Sequence, residues 1–228
     1  MYWQEDNDST RFVVPDDIVD ITFTITCRSL PVDHAHSLMG AIRTALPWFA
    51  DEEQAGIHPI HVADSGNGWM RPEQPDDLLY LSRRTKLVLR VPKTRINDAN
   101  ALVGKTLSVA GQDMEIKEAG MRTLSDLTAI FARYVATSED SSEARFLENA
   151  RDQLFTMGVH PKKMLCGIAK QIGTPGGPVH TRSLMLADLT PEESVQLQSR
   201  GLGNYRQLGC GIFIPHKDIK RVGSGDND

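Results

Sequence analysis

The feature that most limits this chain is an order of elements that occurs twice. "DIVDITFTITCRSL" alternates Val19, Ile21, Phe23 and Ile25 with polar residues, the period of a strand with one buried face. A helical spacing follows, carried by Leu38, Ile42, Ala45 and Phe49 with Met39 and Leu46 beside them. Asp33 stands where an N-cap belongs, and Pro47 ends or bends the helix. "GIHPIHV" predicts a short second strand, and "ADSGNGWMRPEQPDD" a loop rich in Gly, Pro and Asp. "TKLVLRVP" predicts a third strand, "RINDANALVG" a short helix closed by Gly104, and "KTLSVAGQDMEIKEAG" a hairpin turning near Ala110 to Asp113.

The same order then returns. "LTAIFARYVAT" predicts a strand. "SSEARFLENARDQLFTMGV" predicts a helix with a serine start, an acidic first turn and Gly158 after its end. "KMLCGIAKQI" and "VHTRSLMLADL" are strands around the turn "GTPGGP". "TPEESVQLQSRG" carries a full set of helix signals: Thr190 as N-cap, Pro191 at the first position, Glu193 completing a capping box and Gly201 as stop. "LGCGIFIPHK" supplies the closing strand. Two such runs predict an α+β protein of two tandem ferredoxin-like (RRM-like, βαββαβ) domains with a boundary near Met121. Residues 1–121 then hold an acidic N-terminal tail and the first domain. Residues 122–228 hold the second domain with a glycine-rich loop and a short C-terminal tail. The halves share element order rather than residues.

No apolar run approaches the ~20 residues of a membrane span, and "MYWQEDNDSTRF" lacks the basic-then-apolar order of a secretion signal. Cys27, Cys166 and Cys210 are too few and too scattered for a disulfide framework or a metal knuckle. A reducing cytoplasm is the expected compartment. The net charge of −5 argues against a polyanionic partner until its distribution is considered. Glu5, Asp6, Asp8, Asp16, Asp17 and Asp20 crowd the start, and Asp51, Glu52 and Glu53 form another acidic knot. The remainder includes basic groups such as Arg83, Arg84, Lys86, Arg90, Lys162 and Lys163, and it is a local patch that decides nucleic-acid binding.

Two motifs carry candidate chemistry. In "GLGNYRQLGCGIFI" Arg206 breaks the dinucleotide GxGxxG pattern, and no GK[ST] follows. Gly201, Gly203, Gly209 and Gly211 are either a helix stop with a bulged strand start, or a loop whose main-chain N–H groups meet a phosphate backbone. In "LPVDHAHSLMGAIRTALPWF" a cap at Asp33 puts His34 first and His36 third in the helix. Residues two apart on a helix point roughly 200° apart, so this pair does not grip one metal. Zinc would need further ligands, for which His58 and His61 are candidates with no cysteine pair in support. A helix start keeps an imidazole neutral and attracts phosphate, which suits a base for a ribose 2′-hydroxyl. The alternative is a histidine that packs or caps.

The strings "LPVDHAHSLMGAI", "GIHPI", "RSLMLADLTPEES" and "QLGCGIFIPHK", with the element order from Asp20 to Ile219, resemble the Cas-six family of CRISPR repeat-cleaving endoribonucleases, and most nearly its myxobacterial (MYXAN) branch. The resemblance implies an antiviral-defence hydrolase that uses no metal or other cofactor. Its substrate is precursor CRISPR RNA, cut at the foot of each repeat hairpin to leave a 2′,3′-cyclic phosphate and a 5′-hydroxyl. By motif position the family's histidine falls on His34, with His36 in reserve. Lys170 and Arg182, on adjacent strands, are candidate assistants. The RNA-contacting candidates are the four glycines with Lys162, Lys163, Arg206, Lys217 and Lys220. Effector-complex subunits are possible partners. The rival expectation is an RNA-hairpin-binding subunit that cleaves weakly or not at all.

Overall fold

The computed structural model describes residues 12–62, 72 and 74–216. Lys217, Lys220, the outermost acidic residues and the middle of the Gly/Pro/Asp loop lie outside that set. The first half runs β1 (Ile18–Thr26), β2 (Ser29–Pro31), α1 (Ala35–Ala45), β3 (Gly56–Ile57), β4 (Leu78–Tyr80), β5 (Lys86–Pro92), α2 (Ile96–Asn100), β6 (Thr106–Val109) and β7 (Gln112–Thr123). The second runs β8 (Ile130–Ala136), α3 (Glu143–Thr156), β9 (Lys163–Ile172), β10 (Val179–Ala187), α4 (Pro191–Arg200) and β11 (Phe213–Pro215).

Each half builds one antiparallel sheet. The first has the order β3-β5-β1-β7-β6 and the second β11-β8-β10-β9. The second is the ferredoxin-like arrangement, and the first is the same arrangement with β6 added outside its last core strand. Val19, Ile21, Phe23 and Ile25 are all buried, as their alternation required, and they pack with Leu38 and Ile42 of α1. Burial of each large apolar side chain is worth roughly 1.5–3 kcal/mol. A second core joins Phe146, Ala150 and Leu154 of α3 and Leu197 of α4 to Ile130, Ala132, Leu184 and Leu186.

The punctuation read from sequence is largely present. Thr190 Oγ1 accepts from Glu193 N–H at 3.2 Å, and Glu193 Oε2 accepts from Thr190 N–H at 2.8 Å. Ser142 caps α3 by accepting from the Arg145 N–H. Ala110 and Gly111, both at positive φ, form the two-residue turn between β6 and β7. Pro47 follows the end of α1 and opens a 3-10 turn, Pro47–Ala50, whose Phe49 is buried.

Three expectations change. The first strand breaks after Thr26, and β2 pairs with β4 as a separate ribbon. Of "GIHPIHV" only Gly56 and Ile57 form strand. Met121 lies inside the first sheet, opposite Ile21, because β7 continues to Thr123. Leu124 then packs with Ile18 and Val195 in a small apolar cluster joining the halves.

A buried ionic knot is another joint between the halves. Arg90, 1% exposed, donates to both oxygens of Asp20 (2.7 and 3.1 Å) and through Nη1 to the carbonyls of Gln198 and Phe213, each at 2.8 Å. Asp20 also accepts from His58 Nε2 at 3.0 Å and from Arg122 Nη2 at 3.0 Å. Burial pushes the Asp20 carboxyl up, but the Arg90 charge and the hydrogen bonds from His58 and Arg90 outweigh it and hold the group well below the usual carboxylate range. Burial and the Arg90 charge lower His58 despite Asp20, so it stands as a neutral imidazole donating through Nε2.

Candidate active site

The segment between β2 and α1, with Pro75 ahead of β4, builds one wall of a cleft between the halves. Pairing of β2 with β4 is extended by Val32 N–H to Asp77 O (2.8 Å) and Asp33 N–H to Pro75 O (3.0 Å). These bonds fix the chain just before the helix. The cleft, about 510 Å³, is lined from this side by Val32, Asp33 and Pro75. The second half contributes Tyr134 from β8, Glu139, residues 168–171 of β9 and His180 of β10.

Asp33 does not cap α1. Its Oδ2 accepts from the N–H of Gly173, in the turn between β9 and β10, at 2.6 Å, and so ties the two walls together. His34 takes the N-cap position instead, and its carbonyl accepts from Leu38 N–H at 2.9 Å. The register is thus one residue later than the spacing implied, and His36 falls in the first turn. The His34 side chain is 4% exposed. Its Nδ1 lies 2.7 Å from the carbonyl of Pro31. A carbonyl only accepts, so Nδ1 carries the proton, and in the neutral ring the lone pair is on Nε2.

Lys170 is in the cleft lining, half-buried on β9 opposite Thr181. Arg182 is not among those lining residues. Its guanidinium donates to the carbonyls of Gly167 (3.2 Å) and Ser141 (3.3 Å), which makes it a brace for the β9 bulge and the start of α3. Tyr134, Glu139 and His180 were missed. Recognising them requires the register that sets His180 opposite Gln171, which a single sequence does not display.

The glycine-rich loop is mostly turned inward. Gly201, Gly209 and Gly211 are buried, and Gly203 is exposed. A Cβ on Gly209 would lie 2.8 Å from Pro59 Cγ and 3.2 Å from Ile57 O, so its lack of side chain lets the loop seat against the first half. A Cβ on Gly211 would collide with the Leu202 backbone. Arg206 is also occupied internally: Nε donates to Gln54 O (3.0 Å) and Nη2 to Ser199 O (2.7 Å). Burial and the Arg90 charge lower it to about 9, which leaves it protonated at neutral pH. These contacts engage Arg206 within the protein, and close packing accounts for the lack of a side chain at Gly209 and Gly211. Lys162 and Lys163 are exposed, and Lys163 Nζ pairs with Asp188 at 3.0 Å.

Among the described residues no three His, Cys, Asp or Glu side chains gather as a metal site. No described helix is long and apolar enough to cross a membrane.

The family model described as Cas6 Crispr matches residues 19–218. The chain belongs to the Cas6 family. A curated relative, the CRISPR-associated endonuclease Cas6 of Myxococcus xanthus (strain DK1622), is 28% identical over 206 residues, covering 90% of this chain and 85% of the relative. Among solved structures, a CRISPR-associated protein Cas6 superimposes with a TM-score of 0.63 at 12% identity, over 88% of this chain and 100% of its own. A RAMP protein described as binding different RNA substrates gives 0.62 at 14% identity, over 87% and 100%. A Cas6-related protein from Pyrococcus furiosus gives 0.60 at 13%, over 86% and 97%. At such identities the structures speak for the fold, and they agree with the two-unit Cas6 architecture.

Proposed function

We propose that this Cas6 protein is an endoribonuclease that processes precursor CRISPR RNA, cutting within the repeat without a metal ion. The observation that carries the reading is the fixed tautomer of His34 beside the inter-unit cleft. Nδ1–H is held by Pro31 O, so Nε2 is the nitrogen able to take the proton of a ribose 2′-hydroxyl. Attack of that oxygen on the adjacent phosphorus breaks the P–O5′ bond and yields a 2′,3′-cyclic phosphate and a 5′-hydroxyl. Lys170, as a cation in the cleft lining, suits the charge developing on the phosphate oxygens. Lys162, Lys163 and the exposed Gly203 are the RNA contacts we assign within the described residues. Lys217 and Lys220, beyond β11, remain candidates on sequence grounds.

The test is cleavage of the protein's own repeat RNA and of the same RNA with deoxyribose at the nucleotide before the scissile phosphate. Ribose substrate should be cut and deoxy substrate bound but uncut; cutting of both would refute 2′-hydroxyl attack. A second reading, a repeat-RNA-binding subunit with weak or no cleavage, is favoured by the near-complete burial of His34 and by the carboxylates Asp33 and Glu139 at the cleft. It predicts tight, salt-sensitive binding of the repeat hairpin and a cleavage rate unchanged by His34→Ala. Retention inside an effector complex fits either reading and would be seen by co-purification with bound repeat RNA.

A further inference from the structure

Resting on the reading of His34 as base, we infer that His180 is the general acid that protonates the leaving 5′-oxygen, so that the reaction is shared by one histidine from each half of the chain. His180 stands on β10, across the cleft from the start of α1, and both it and Asp33, the neighbour of His34, line that space. Its ring is held from two sides. Gln171, its cross-strand partner, sets Nε2 of its amide 3.3 Å from His180 Nδ1. Glu139 places Oε2 3.9 Å from His180 Nε2, too far for a hydrogen bond.

His180 lines the cleft and His34 lies next to the lining residue Asp33, and the two rings differ in where their protons are held. His34 has its proton tied up at Nδ1 and its lone pair on Nε2. His180 has Nδ1 engaged by an amide that can present either its NH₂ or its oxygen, so Nδ1 can be satisfied in the neutral or the charged ring. Its Nε2–H is then the proton to give. In the step, the O2′–P bond forms and the P–O5′ bond breaks. The 2′-hydroxyl proton goes to His34 Nε2, and the proton of His180 Nε2 goes to O5′. The enzyme gains and loses one proton, and exchange with water resets both rings. The other charged or titratable groups at the cleft are Lys170, Tyr134, Asp33 and Glu139.

The experiment is single-turnover cleavage by the full chain of repeat RNA with either the natural 5′-oxygen or a 5′-bridging sulfur at the scissile bond. A thiolate leaves without protonation. His180→Ala should cleave the natural RNA about a hundred-fold more slowly and the sulfur-substituted RNA within about ten-fold of the unmodified enzyme. His34→Ala should be slow on both. For the unmodified enzyme the rate should rise and then fall with pH, and His180→Ala should lose the fall at high pH. Wild-type rates in His180→Ala on the natural substrate would overturn the inference. So would an equal defect on both substrates, or sulfur rescue of Lys170→Ala instead. If the unmodified protein cuts neither RNA, it is the endoribonuclease reading that fails.

Discussion

Replacing Arg90 with alanine should uncouple the two halves and destabilise the protein by about 4 kcal/mol. Arg90 makes four hydrogen bonds, two to Asp20 and two to main-chain carbonyls across the joint. Removing one partner of a buried ion pair generally costs about 3–5 kcal/mol. Here Asp20 keeps His58 and Arg122, which favours the lower end. Each stranded carbonyl of Gln198 and Phe213 costs roughly 1–3 kcal/mol when dry, and water entering the space left by the guanidinium relieves most of that, which leaves a total of about 4 kcal/mol. Against a total stability of about 5–15 kcal/mol, the loss should lower the melting temperature by about 8–16 °C. Urea unfolding of the wild type, Arg90→Met, Asp20→Leu and the double variant forms a cycle. The double variant should be more stable than the summed single losses by about 2 kcal/mol. Single-variant losses under about 1 kcal/mol, or additivity in the cycle, would refute the reasoning.

Asp20 should also shape acid stability. Its carboxyl is held below the ordinary value in the folded state, so its contribution is complete above the unfolded pKa near 4 and is lost as pH falls below it. Melting between pH 7 and pH 2 should therefore be steeper for the wild type than for Asp20→Asn; parallel curves would contradict this. His34→Ala should slow cleavage of natural RNA by roughly a hundred-fold or more with little change in affinity, and His36→Ala much less; single-turnover rates decide it. Gly209→Asp should unfold at markedly lower denaturant, because Pro59 occupies the space of its Cβ, whereas exposed Gly203→Asp should remain folded and bind RNA more weakly. Excess EDTA should leave cleavage unchanged if the hairpin stays folded, and loss of activity restored by Mg²⁺ or Zn²⁺ would reject metal-independent chemistry.

The sequence displayed what is local. The capping box of Thr190 and Glu193, the turn at Ala110 and Gly111, and the alternation through β1 all depend on neighbours a few residues apart, and each is present. What it hid involves distant partners. Asp33 looked like a helix cap, but its acceptor oxygen is taken by Gly173, 140 residues away. Asp20 occupies a polar position of an alternating strand, where periodicity cannot distinguish a face met by water from one met by the other half of the chain. The glycines of "GLGNYRQLGCGIFI" left open a structural turn or an approach for phosphate, and two of them serve close approach within the protein. For Gly209 and Gly211 the approaching atoms are Pro59, Ile57 and the Leu202 backbone. The cleft residues Tyr134, Glu139 and His180 became visible only once register joined β8, β9 and β10.

Arg90 recognises the second half through peptide carbonyls alone, and this sets how the protein can diverge. Positions 198 and 213 contribute their backbone to that contact whatever their side chains, so it constrains the path of the chain there and leaves residue identity to other demands. On the other side of the joint the demand is for particular side chains, Asp20 and Arg90 together. Drift at the joint is therefore lopsided. Recombination follows the same asymmetry: a second half taken from a relative keeps this contact if its main chain passes the same two points, whereas a first half lacking the Asp20–Arg90 pair loses it whatever second half it meets.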